Sequence, residues 1–255
     1  MIATAVPVLA SLVDALTRDT VFTLDHLPPP RYSIKRVPGW IDRQSPADFP
    51  RADLLIDMLS VWPAVDVFPH VRLHNIGVVR VDAAQALIPG GERVALALSA
   101  DGTPGYFWLD PANALLMLGI VQRDLVAYLE QTCAAGMERD TAIRAVKRNF
   151  DRTSRALRDA VVALDTRVLG LDVVQVAVDK AELTPLAQAS LLPVVSREEA
   201  LATGLPTLLI SSRKPGHASL SEVPPIWRVW HVDDFGKRSE ADFLSRWTAI
   251  VDGVR

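Results

Sequence analysis

The chain has 255 residues, with 27 Lys and Arg against 30 Asp and Glu, a formal net charge of -3. Hydrophobic residues make up 49% and charged residues 22%, so the chain can bury a sizeable core, and disorder over most of its length is excluded. The charge balance offers no basic stripe for nucleic acid and no attraction to an anionic membrane, and the single cysteine, Cys133, excludes an intramolecular disulfide and a multi-cysteine zinc site.

In chain order, Val6, Leu9, Leu12, Val13 and Leu16 recur at helical spacing, so residues 4–18 read as an amphipathic helix with Thr4 as N-cap. The apolar start lacks the basic region of a signal peptide. The longest uncharged stretch, residues 183–196, is too short and too broken by proline to span a bilayer. A cytoplasmic protein without membrane insertion is expected. Residues 19–50 carry Pro28, Pro29, Pro30, Pro38 and Pro46 and read as a long covering loop or arm. Residues 51–60 predict a short helix with Leu54, Leu55, Met58 and Leu59 on its apolar side.

The stretch that follows reads as β-structure. Residues 71–76 alternate apolar and polar, and 78–81 continue the extended character. Further strands are expected at 93–99, 106–109 and 115–121, separated by turns at 89–91, 101–105 and 110–113. Consecutive short strands joined by tight turns predict an α+β fold, an antiparallel β-meander packed with helices and a helix-rich C-terminal half. The division expected is an α+β meander region over 1–135 and a helix-rich α+β region over 136–255, either sharing one core or folding apart.

Helices are expected at 124–133 and 140–165. In the latter, Ile143, Val146, Phe150, Thr153, Leu157, Ala160 and Leu164 alternate spacings of three and four. That stripe fits a coiled-coil seam, and it fits better a long helix lying across its own sheet or another helix. Strands follow at 171–179, 205–210 and 226–232, and a closing helix at 239–251, with Ser239 as N-cap and Phe243, Leu244, Trp247 and Ile250 on its buried face.

Several groups are candidates for a site. His70 and His74 share one side of a helix or strand, but no third metal ligand is indicated by spacing. Arg213, Lys214 and His217 lie in a turn after an expected strand and are candidates for binding an anion; Lys214 is followed by Pro215, which departs from a phosphate loop. Cys133 has no catalytic surroundings in the sequence and reads as a small buried hydrophobe. Asp233 and Asp234 are adjacent, so on a strand they face opposite ways. Trp227 and Trp230, with Trp40 and Tyr32, are candidates for a partner-binding surface, against the ordinary role of large aromatics in a core.

Residues 76–133 run strand, a short turn-helix from Asp82, strand, an Asp101-Gly102 turn, Tyr106-Phe-Trp-Leu-Asp110-Pro111, apolar strand, and a helix containing Asp124-Leu-Val-Ala-Tyr-Leu129. This order resembles the SUKH superfamily, which includes bacterial immunity proteins, and Ser239-Glu-Ala-Asp-Phe-Leu244 is similar to that family's last helix. The family's N-terminal L-P-x-x-Y and N-G segments are not found, and residues from Thr132 onward have no counterpart in its simple unit. The resemblance implies a non-enzymatic binder that neutralises a toxin through its surface, with no catalytic residue to transfer.

No catalytic residue, metal ligand or cofactor is assigned. The preferred function is contact with another protein, in concrete form toxin immunity. Two others stay open. One is an enzyme or small-molecule binder of an unfamiliar family, with groups such as His70, His74, Arg213 and Asp234 converging on a pocket. The other is an assembly subunit that uses the 140–165 helix and the proline-rich arm, with homo-oligomerisation open.

Overall fold

The apolar N-terminus divides into a strand, β1 (Ile2–Thr4), and a helix, α1 (Pro7–Thr17), in the computed structural model, which describes every residue except 97, 99–101, 103, 215, 221 and 255. The chain forms two units. The first takes Met1–Val94, Leu115–Arg155 and Phe235–Phe243; the second takes Ala95–Ala114, Ala156–Asp234 and Leu244–Arg255.

In the first unit β1 and α1 are followed by β2 (Leu24–His26), α2 (Val37–Ile41), β3 (Leu54–Asp57), α3 (Phe68–His74) and β4 (Val79–Asp82). The sheet has the order β2-β1-β3-β4 and every pairing is parallel, with Ile2 opposite both Leu24 and Leu54, and Leu54 opposite Val79. β1 and β3 are buried along their whole length, as central parallel strands are when both faces are covered, so they read as short apolar runs without alternation. Helix α4 (Pro111–Thr132) starts where Asp110 Oδ1 accepts the Ala112 N–H at 2.9 Å. It buries Leu118, Val121 and Leu125 in this unit. α4 is long and apolar enough by composition to cross a membrane, but half of that stretch is buried within the protein. Helix α5 (Met137–Leu169) contributes its first half here. Its buried Asn149 donates through Nδ2 to the carbonyls of Leu16 (3.0 Å) and Arg18 (2.7 Å), satisfying the C-terminal end of α1.

The second unit holds β5 (Gln175–Val178), α6 (Thr184–Ala189), α7 (Arg197–Thr203), β6 (Thr207–Ser211), β7 (Arg228–His231) and α8 (Phe243–Asp252), of which α8 belongs here from Leu244. Its sheet runs β5-β6-β7, again all parallel. Trp230 is fully buried and donates through Nε1 to the Ile250 carbonyl of α8 at 2.7 Å. Ser196 Oγ caps α7 by accepting the Glu199 N–H at 3.0 Å, and Gly204, with φ of 63°, ends it in the left-handed conformation that glycine adopts without a steric cost.

The antiparallel meander expected from the sequence is corrected: both sheets are parallel and the architecture is α/β. Residues 71–76 belong largely to α3, which starts at Phe68, with Asp66 Oδ1 accepting the Phe68 N–H at 2.9 Å. Its only buried residue is Val71, so the alternation of apolar residues had no core to face. The expected helix over 51–60 is instead built around β3. Phe107–Leu109 form a single 3-10 turn, and the expected strand over 115–121 lies inside α4. Parts of the expected 93–99 strand and 101–105 turn lie outside the described residues. The long helix over 140–165 is present within α5, and its Val146, Thr153, Leu157 and Leu164 are buried in this chain.

Replacing Asn149 with Ala removes these two hydrogen bonds and the one its Oδ1 accepts from Arg152, and leaves two carbonyls at the end of α1 without this donor. Urea unfolding should show a loss of about 2 kcal/mol, and an unchanged midpoint would mean that water replaces the amide without cost.

Candidate functional site

Parallel strands place all their carboxyl ends on one edge, and in open α/β sheets that edge is where ligands bind. In the second unit the register sets Val178, Ile210 and Trp230 side by side. The next row is therefore Asp179, Ser211 and His231, and the ladder continues into it: Asp179 N–H donates to the Ile210 carbonyl at 3.0 Å and Val232 N–H to the Ser211 carbonyl at 2.9 Å. The Asp179 side chain is 1% exposed. Its Oδ2 accepts from Ser211 Oγ (2.7 Å) and Arg213 Nε (2.9 Å), while its Oδ1 is buried with no hydrogen-bond partner. Beside it Lys180 Nζ donates to Ser212 Oγ at 2.9 Å, and His231 Nδ1 lies 3.1 Å from the Arg213 carbonyl.

Asp233 receives Arg246 through both oxygens, at 2.7 and 2.6 Å. Tyr106 stacks on Trp108 with centroids 4.8 Å apart, and burial, followed by the negative charges of Asp234 and Glu182, pushes its phenol above the ordinary range.

In the first unit the carboxyl ends supply Thr4, His26, Asp57 and Asp82, with Thr4 opposite His26 and Asp57 opposite Asp82. The two carboxylates are buried and satisfied. Asp82 accepts the N–H groups of Ser60 (2.7 Å) and Ala84 (2.9 Å). Asp57 accepts Arg80 Nε (2.6 Å) and the Leu59 N–H (3.3 Å), and Arg80 also pairs with Asp66. Burial pushes Asp57 up to about 6, against the pull of Arg80. His26 differs: both ring nitrogens are buried without a hydrogen-bond partner. Burial, then the Arg238 guanidinium, lowers its pKa to about 4. A cavity of about 390 Å³ in this unit is lined by Ser11, Asp14, Arg18, Arg238 and Asp242, and its charges pair across it, Arg238 with Asp14 and Arg18 with Asp242 at 3.8 Å.

Of the residues singled out from the sequence, Trp227 and Trp230 lie in the core of the second unit. Trp40 is buried edge-on against Phe49, with centroids 5.8 Å apart. Tyr32 is half-buried beneath the guanidinium groups of Arg31 and Arg36. Arg213 reaches the carboxyl edge; Lys214 is exposed, and His217 Nδ1 pairs with Ser219 Oγ at 2.8 Å. Pro215 of that loop lies outside the described residues. His70 stacks on Phe49 and His74 Nε2 lies 2.6 Å from the Pro46 carbonyl. Cys133 is half-buried. Among the described residues no three His, Cys, Asp or Glu side chains gather as metal ligands. Sequence reasoning missed His26, Asp179, Lys180 and Ser211. The available signal was a polar residue directly ending or following an apolar strand, as in Gln175-Val-Ala-Val-Asp179.

No family model and no curated protein matches the sequence. Solved structures do match, end to end. The substrate-binding protein FpvC of Pseudomonas aeruginosa in complex with Mn2+ is similar at a TM-score of 0.66 and 14% identity, over 99% of this chain and 97% of its own. The metal-dependent lipoprotein YcdH of Bacillus subtilis gives 0.62 and 13%, over 98% and 96%. A metal-free mutant of the periplasmic metal binding protein of Candidatus Liberibacter asiaticus gives 0.67 and 11%, over 100% and 99%. At such identity the shared property is the fold.

That fold corrects the expected SUKH kinship. Among its described residues the segment that carries the resemblance holds one strand, β4, and much of it is α4. The toxin-neutralising function and protein partner expected with that kinship fall with it.

The depressed His26 pKa has a definite sign in stability. The folded protein favours the neutral ring, so stability present above pH 6.5 is lost as pH falls from 6.5 to about 4. Urea melts at pH 7 and 4.5 should show wild type losing about 2–3 kcal/mol more than His26→Gln. Equal losses would place the imidazole in contact with solvent.

Proposed function

We propose that this chain is a solute-binding protein that reversibly captures a small polar solute at the carboxyl edge of the second unit's sheet. The observation that carries the reading is Asp179, a carboxylate 1% exposed whose Oδ1 has no partner at the edge where parallel sheets take ligands. A buried oxygen without a hydrogen bond costs about 1–3 kcal/mol, a cost that a bound donor removes. The end-to-end likeness to metal-binding proteins supports a cargo of that size class and makes divalent cations the first solutes to test.

The cytoplasmic placement expected from the sequence gives way in this reading to the extracytoplasmic side, because two of the similar proteins are named as a lipoprotein and a periplasmic protein.

The test is thermal unfolding of the purified chain with divalent metal chlorides and with small organic acids and amines. A solute bound to the folded state stabilises it by about 2.7 kcal/mol at a hundredfold excess over Kd, so the melting temperature rises with its concentration. Asp179→Asn should abolish that response while the unliganded protein still unfolds cooperatively. A wild-type melting temperature indifferent to every solute would sink the reading.

A further inference from the structure

We infer that residues 236–242 form a proton-released latch on α1, in which His26 and Arg238 compete for one counter-ion, Asp14, and protonation of His26 lets the segment swing off. Every group in it belongs to the first unit, so the latch stands apart from the solute-binding reading.

Residues Phe235–Phe243, between β7 and α8, pack in the first unit. The two ends are anchored: Phe235 and Phe243 are each 1% exposed, with ring centroids 5.5 Å apart. Between them the chain is pinned by polar contacts. The Ile34 N–H donates to the Gly236 carbonyl at 2.9 Å, Arg238 pairs with Asp14, and Arg18 lies 3.8 Å from Asp242. The four side chains of these ion pairs are between 25% and 46% exposed, where such pairs stabilise little. Phe235 has φ of 53°, a left-handed conformation that a bulky side chain rarely adopts, so the segment leaves its root under strain. The cavity of about 390 Å³ described above is bounded by Arg238 and Asp242 of the segment, by Asp14 and Arg18 of α1, and by Leu24 of β2. It is polar and roomy enough for water, so the segment can lift without opening packed core.

His26 is the group that senses the proton. It lies two residues after Leu24 on β2, hence on the same face as that cavity wall. Both its ring nitrogens are buried without a hydrogen-bond partner. The charges that act on the ring are Arg238 from the segment and Asp14 from α1; β1 sets Thr4 opposite, and the loop after β2 brings the Pro28 carbonyl. A neutral ring leaves Arg238 and Asp14 to each other. A protonated ring places a second cation beside a carboxylate already paired, in a site shielded from water, where like charges repel strongly. The ring then takes Asp14, and Arg238 loses its hold. With the segment down, burial and then Arg238 lower the His26 pKa to about 4, whereas a solvated ring titrates at 6.5. The closed form is therefore favoured above pH 6.5 and loses up to about 300-fold as pH falls through 4.

The experiment is amide hydrogen exchange of the full chain, read by NMR at pH 7 and 4.5 and corrected for intrinsic exchange. The Ile34 amide reports the segment through its bond to Gly236, and the Ala10 amide, bonded to the Val6 carbonyl at 3.0 Å in α1, reports the fold. Ile34 should be less protected than Ala10, and its protection should fall about fiftyfold between the two pH values. His26→Gln should keep the Ile34 protection at pH 4.5. Arg238→Gln should lower it at pH 7 and shrink the fall, and this variant reports even if His26→Gln fails to fold. Equal protection of Ile34 and Ala10 would mean that only global unfolding frees the segment, and would overturn the latch. Ile34 protection that ignores pH, or that falls in His26→Gln as in wild type, would overturn the role of His26. A full-sized fall in Arg238→Gln would overturn the competition for Asp14.

Discussion

Parallel pairing is the constraint on which the rest depends. Two parallel strands cannot be joined by a tight hairpin, so each strand must be followed by a crossover that returns the chain to the same end. α1 does this between β1 and β2, α3 between β3 and β4, and α6 with α7 between β5 and β6. Once the crossovers cover the faces, strands such as β3 and β6 are buried throughout, and their polar residues can lie only at the ends. The same arrangement brings every carboxyl end of a sheet to one edge. That is why Thr4 and His26, and one position further Asp57 and Asp82, in one unit, and Asp179, Ser211 and His231 in the other, fall in rows although they are far apart in sequence.

Within those rows, ionic partners decide which groups remain available. Asp57 and Asp82 are consumed by Arg80 and by backbone N–H groups, and they pin the turns after β3 and β4. Breaking such a buried pair on one side leaves an uncompensated charge and costs several kcal/mol, about 3–5. Asp179 is as buried as Asp57 but is satisfied on one oxygen only. The contrast separates a carboxylate that holds the fold from one that retains an acceptor for something else. His26 is held neutral by burial and by Arg238.

Much of the helical structure was legible. The stripe from Ile143 to Leu164 marks α5, and the period of Val6, Leu9, Leu12 and Leu16 marks α1, because a helix that buries one face repeats that face in the sequence. β5, β6 and β7 were located as strands for a similar reason, through β-branched and apolar runs between turns. The errors cluster between residues 51 and 121. Leu54 and Leu55 with Met58 and Leu59 imitate a helical face, yet β3 is a short buried run whose period is hidden by burial on both sides. Asp110-Pro111 reads as a turn, but the same pair is a helix start, with Asp110 as cap and Pro111 at the first position.

The site was less legible than the fold. Arg213 drew attention as a cation in a loop, but its partner Asp179 lies 34 residues earlier, marked only by its place directly after an apolar strand. By itself the sequence determined that the chain buries a core, that no disulfide ties it, and where its longest helix and last three strands run, because composition and periodicity act locally. Only the tertiary structure decided that the strands pair in parallel, which end of each becomes an edge, and which carboxylate is left with an oxygen to offer. Strand direction and ion pairing depend on contacts between distant residues, and local patterning carries no record of them.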